Sequence, residues 1–199
     1  MKIAIEVNGV LRDTIKKIEQ VYEKFYIDNV LNEQRDFVYE KVSDITSLKI
    51  QDHLKFKNED EVYDFLYTEH CMEIFGHAPS IEYNTFNDLN EFYVDHRDNH
   101  EIVIISDEIG KSKPATLFFL SKFGCQIEKI YFYNQITLPK IWEEFDLLLT
   151  ANPDLLLNHP SDKKIIKYNT IYNTQITNLQ NIDNLKELKN FITDDTNLE

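Results

Sequence analysis

The sequence predicts an α/β fold: an open, mostly parallel sheet with helices on both faces and a helical insertion after the first strand-helix unit. Three observations predict it. Short apolar, β-branched runs recur at residues 2–7 and in "EIVIISDE", "KIYFYN", "FDLLLTANP" and "KKIIKYNT", and runs of this length and character suit strands buried on both faces. Helical patterns and short connections lie between them, the order expected when parallel strands are joined by crossovers. Between residues 30 and 95 the strand-like runs stop, and charged and aromatic residues at helical spacing take their place.

In the first unit, the strand of residues 2–7 breaks at Asn8-Gly9, a pair that also makes a good turn on structural grounds alone. "TIKKIEQVYEKFY" then sets Ile15, Ile18, Val21, Tyr22 and Phe25 at helical spacing. In the insertion, helical patterns run through "EDEVYDFLYTEHCMEIFG" and "NTFNDLNEFYVDHRD", and the second returns the chain to the core. Its aromatics, Phe65, Tyr67, Phe75, Tyr83, Phe86, Phe92 and Tyr93, read as the core of a lobe. After the strand "EIVIISDE", the helix "PATLFFLSKFG" has Pro114 near its start and Gly124 as its stop. Three more strands follow, and "NIDNLKELKNFI" is expected to form a closing amphipathic helix. The expected division is a core of residues 1–29 and 96–193, a cap of 30–95, and a frayed tail of 194–199.

Composition narrows the function. The 199 residues carry a formal net charge of −14, which argues against binding a nucleic-acid backbone or an anionic membrane, since both need clustered Lys and Arg. Cys71 and Cys125 are the only cysteines and have no paired metal spacing, which fits free thiols in a reducing compartment. The opening residues lack the long apolar stretch of a signal peptide or membrane span. A cytoplasmic protein is expected.

In open parallel sheets, ligands bind outside the carboxyl ends of the strands. The candidate residues are therefore Glu6 and Asn8, Ser106, the loop around Lys140, and Thr150 to Pro153. Taken in that order, "NGVLRD", "IVIISDE" and "DLLLTANPDLL" with "KKIIKYNTIYN" resemble the motifs of the haloacid dehalogenase superfamily of phosphatases. The likeness is greatest to its 5′(3′)-deoxyribonucleotidase branch, including small phage-encoded relatives, and it covers nearly the whole chain.

The resemblance implies a Rossmann-like core, magnesium as cofactor, and an aspartyl-phosphate mechanism. A first-motif Asp attacks phosphorus, and an Asp two residues later protonates the leaving oxygen. Glu6 and Asn8 stand at those positions. Gly9 and Ser106 match phosphate-holding positions, as does Lys140 in the loop before the fourth strand, with Lys113 in "KSKP" as the runner-up. The positions that would give carboxylates to magnesium are Thr150 and Ala151, leaving Glu6 and, further on, Asp154 as metal ligands. Asp146 starts its strand and belongs to the opposite end of the sheet.

These departures are costly. Glu is one methylene longer than Asp, and a misplacement of about 1 Å can cost roughly 100-fold in an in-line attack. Asn8 cannot exchange a proton at neutral pH, which forfeits roughly 10² to 10⁴ in rate. Magnesium prefers several hard oxygen ligands, and Ala151 offers none. Each candidate also has a plainer role: Glu6 as a strand-end acid bonded to backbone NH groups, Ser106 as a cap of the following segment, Lys140 as a solvated lysine near Trp142. His96 and His100 have metal-compatible spacing, but Asn99 and the adjacent strand favour a helix end between them.

The expectation is a catalytically degenerate scaffold derived from a nucleotide phosphatase. Retention of Gly9, Arg12, Asp13 and Ser106 motivates a version that holds a nucleotide or phosphate without cleaving it. The alternatives are a weak magnesium-dependent phosphatase acting on nucleoside monophosphates, and an oligomeric or virion-associated component in a protein assembly. The Asn-, Lys- and Ile-rich usage suggests an AT-rich genome, in keeping with a phage source.

Overall fold

The computed structural model describes residues 1–28 and 37–192. The expected tail, and the expected boundary at residues 29 and 30, lie outside the described residues. Six parallel strands form one sheet in the order β3-β2-β1-β4-β5-β6. They are β1 (Lys2–Glu6), β2 (Glu101–Asp107), β3 (Ile130–Tyr133), β4 (Leu147–Thr150), β5 (Lys164–Tyr168) and the short edge strand β6 (Asn181–Ile182). β1 lies between β2 and β4, so the strand order reverses around it. This switch point opens a crevice at the carboxyl ends of the strands, where Glu6, Asp107 and Thr150 end their strands.

Alternation along β1 divides the core. Ile3 and Ile5 join Ile102, Ile104, Leu147 and Leu149 in a cluster on one face, packed against Phe119 and Leu120 of α4 (Ser112–Lys122). Ala4 joins Val103, Ile105 and Leu148 on the other, against α5 (Leu138–Glu144) and α6 (Pro153–Leu157). Helices thus cover both faces, as the two-sided apolar runs require.

A third cluster belongs to α1 (Thr14–Tyr22) and the inserted segment. It joins Ile18, Tyr22 and Tyr26 to Ile45, Leu54, Phe65 and Phe75. Here α2 (Glu59–Asp64), capped by the Asn58 side chain, continues as a wider turn over Phe65–Glu69, and a second such turn spans Met72–Gly76.

The insertion differs from expectation in two respects. Its last helix, α3 (Thr85–His96), buries Phe86, Leu89 and Phe92 in the sheet cluster, with Phe86 stacked on Phe123. Tyr83, expected in a lobe core, is 96% exposed. Near the carboxyl terminus, "NIDNLKELKNFI" forms β6 and then a 3₁₀ helix over Leu185–Phe191. Leu185 and Leu188 are both buried, and a three-residue spacing matches the three-residue turn of a 3₁₀ helix.

Candidate functional site

A cavity of about 250 Å³ lies between the carboxyl ends of the strands and the inserted segment. Its floor is polar, formed by Glu6, Asn8, Asp107 and Asn152, with Gly9 and Tyr172 beside them. Its wall is apolar: Ile15 and Ile18 of α1, Leu48 and Ile50 of the insertion, and Val62 and Leu66 around α2. Among the described residues, no lysine or arginine lines it.

Glu6 is 1% exposed. Its Oε1 accepts from the Tyr133 hydroxyl at 2.6 Å, and its Oε2 accepts from the Thr150 hydroxyl. Burial pushes its carboxyl up to about 7, against the lowering effect of these donors and of the Ala151 backbone NH. Both carboxylate oxygens are therefore already held by the sheet. A carboxylate clamped in this way is poorly placed to attack phosphorus.

Asn8 belongs to a different network. Its Oδ1 accepts from Arg12 Nη2 at 2.7 Å, from Arg12 Nε at 3.3 Å and from the Thr14 hydroxyl at 2.7 Å. The Arg12 guanidinium is fully buried and pairs with Glu108 at 2.6 Å, while its Nη1 donates to Thr116 and to the Phe75 carbonyl. Ser106 is also fully buried, and its hydroxyl donates to Glu108 Oε1 at 3.0 Å. Asp13 caps α1 by accepting from the Lys16 backbone NH. Arg12, Asp13 and Ser106, singled out as retained ligand-holding residues, thus have structural partners.

The remaining candidates stand apart. Lys140 is on α5 rather than in a loop, is exposed, and does not line the cavity. Pro139 at the start of that helix accounts for the difference. Lys113 is exposed on α4 with its ammonium over the Phe132 ring. Asp154 is exposed on α6 and also outside the cavity lining. Asp146 accepts from the Lys2 backbone NH, at the amino end of the sheet. His96 ends α3 with its ring against Phe92, whereas His100 precedes β2 and contacts the amino terminus. Cys71 and Cys125 pack in different apolar clusters.

Three site residues escaped the sequence reading. Tyr133 and Asp107 end their strands, so the strand-end rule that selected Ser106 applies to them equally. Asp107 is exposed at the end of β2 and lines the cavity, and partial desolvation and the nearby Glu108 raise its carboxyl to about 6. Tyr172 follows β5, with its ring packed against the Gly9 turn. Gly9 has φ of +77°, and a Cβ there would collide with the Tyr172 hydroxyl and lie 2.8 Å from the Ala151 Cβ.

No family model matches the chain, and no curated protein matches it in sequence. Solved structures do match it, among them two that cover nearly its whole length. A dehalogenase with an intermediate complex shares 11% identity at a TM-score of 0.54, covering 97% of each chain. A β-phosphoglucomutase from Clostridium difficile shares 14% at 0.53, covering 94% of this chain and 92% of that one.

The fold is haloacid dehalogenase-like. At these identities the likeness is one of fold, and function has to be argued from the site. The magnesium expected from the resemblance does not fit this site. Glu6 already accepts from two hydroxyls, the Asn8 oxygen faces a guanidinium, Ala151 contributes only a methyl group, and Asp154 is outside the cavity, which leaves Asp107 as the one lining carboxylate without a bonded donor among the described residues. A small hard cation needs several oxygens free to turn toward it. Among the described residues, no group of three His, Cys, Asp or Glu side chains is placed to hold a metal ion.

Proposed function

We propose that this chain is a haloacid dehalogenase-like binding scaffold derived from a nucleotide phosphatase and without phosphoryl-transfer activity. The observation that carries this reading is the state of Glu6, whose two oxygens are bonded to Tyr133 and Thr150 where a nucleophile would have to be free. The surroundings support it. Phosphoryl transfer relies on cations aimed at the developing charge, and the cavity is lined by Glu6 and Asp107 with no lysine or arginine among the described residues. Asn8 has an acceptor oxygen committed to Arg12 and no proton to give.

The test is phosphate release from p-nitrophenyl phosphate and a panel of nucleoside monophosphates with magnesium, comparing wild type with Glu6→Ala. Equal, background-level release from both is expected. Release by wild type that disappears in Glu6→Ala would overturn the proposal and favour the weak phosphatase.

A further inference from the structure

We propose that the cavity takes a small protonated amine carrying an apolar group, with the ammonium on the Glu6–Asp107 floor and the apolar body against the inserted segment. This rests on the non-phosphatase reading and assigns a ligand class to the same site. Four features point to that chemistry.

The first is charge. Glu6 and Asp107 line the cavity, and Glu108 follows behind Asp107, close enough to raise its carboxyl. Arg12 is the cation paired with this group, and it is bonded to Glu108 out of contact with solvent. Asp107 and Glu108, joined by Glu6 as it ionises above about pH 7, outweigh one guanidinium, leaving a cationic ligand favoured and a phosphate repelled.

The second is free acceptor capacity. Among the described residues, no donor is hydrogen-bonded to the Asp107 carboxylate, whose shift arises only from burial and Glu108. The Glu6 oxygens accept from two hydroxyls and the Ala151 backbone NH, and a carboxylate accepts up to about four bonds, so one position remains. An ammonium brings three donors, the complement of such a floor.

The wall supplies the third feature. Ile15, Ile18, Leu48, Ile50, Val62 and Leu66 are suited to an aliphatic or aromatic body. Tyr67, Phe75 and Tyr172 also line the space, and aromatic faces attract an organic cation more than a neutral molecule.

Size is the fourth. A space of about 250 Å³ lies near the small end of ligand sites, which begin at roughly 300 Å³, and suits a compact ligand. Benzylamine, with its ring and single ammonium, is a fitting probe.

The experiment is a titration of the full chain, followed by heteronuclear NMR, with benzylamine, its neutral counterpart benzyl alcohol, and phenyl phosphate. Benzylamine is expected to bind saturably and at least about tenfold tighter than benzyl alcohol, a difference of about 1.4 kcal/mol, with shifts at Ile18, Ile50 and Asp107. Asp107→Asn should weaken benzylamine several-fold and leave benzyl alcohol unchanged. Asp154→Asn, outside the cavity, should leave both unchanged.

Equal affinities for amine and alcohol, or no saturable amine binding at millimolar concentration, would overturn the ligand assignment. Retention of full amine affinity in a folded Asp107→Asn variant would also overturn it. Magnesium-dependent release of phosphate from phenyl phosphate would instead overturn the non-phosphatase reading, so the two failures are distinguishable.

Discussion

The hydroxyl of Tyr172 occupies the space that a Cβ on Gly9 would need. Gly9 has φ of +77°, the Tyr172 Cζ lies 3.1 Å from the position of that Cβ, and the hydroxyl lies closer still. Two independent constraints therefore exclude a side chain at this turn: the left-handed backbone and the tyrosine. Gly9→Ala is expected to destabilise the protein by at least about 2 kcal/mol. Tyr172→Phe in the same chain should return part of that loss, since the hydroxyl clash is then gone while the backbone constraint, the Ala151 contact and the ring Cζ at 3.1 Å remain. Urea unfolding of the two single variants and the double variant reads this coupling, and strict additivity would contradict it.

The Arg12–Glu108 pair makes a second prediction. Both side chains are fully buried, and Glu108 also accepts from Ser106 and Thr116. Removing one charge leaves the other unpaired in a medium that solvates it poorly. Arg12→Met should cost about 3–5 kcal/mol. Adding Glu108→Gln should recover at least about 1 kcal/mol, because the orphaned carboxylate is then neutral. A double variant less stable than Arg12→Met by denaturant titration would show that the pair is not the dominant interaction.

Glu6 sets a pH dependence. Its carboxyl is raised from an ordinary value of 4.5 to about 7, so between these values the folded chain binds more protons than the unfolded one. Stability therefore falls as pH rises through this window and levels off above it. At about 1.4 kcal/mol per unit, the loss is on the order of 3 kcal/mol. Glu6→Gln removes the titration and should flatten the profile between pH 5 and 8. Thermal unfolding in a series of buffers checks this, and an unchanged slope in the variant would contradict it.

Five of the six strands were legible in the sequence because each is a short apolar run, from "KIAIE" to "KIIKY", whereas the two residues of β6 are too few to separate from the helical pattern that follows them. The carboxyl-end rule led to Glu6 and Asn8, and the family resemblance to Gly9, all of which line the cavity. Side-chain partners were not legible. Ser106 reads as a phosphate-holding hydroxyl until it is seen donating to Glu108, and Arg12 reads as a ligand-holding cation until its guanidinium is found enclosed by Asn8, Thr14, Thr116 and Glu108. Tyr172 carries no signal beyond its place in the loop after β5. Its packing against Gly9 depends on how that loop folds back over the sheet. Leu185 and Leu188 have a spacing shared by α and 3₁₀ helices, so periodicity alone could not separate the two.

On the proposed reading, the whole floor of the cavity, as well as the two exchanged acids, keeps the site from phosphate chemistry. The most direct measurement is magnesium-dependent phosphate release by the wild type and by the chain carrying Glu6→Asp, Asn8→Asp and Ala151→Asp together. Both should be silent, because the reverted site still lacks a lysine or arginine in its lining and still has Tyr172 over Gly9. Turnover by the triple variant would mean that the phosphate frame is intact and only its reactive groups were exchanged, contradicting the account.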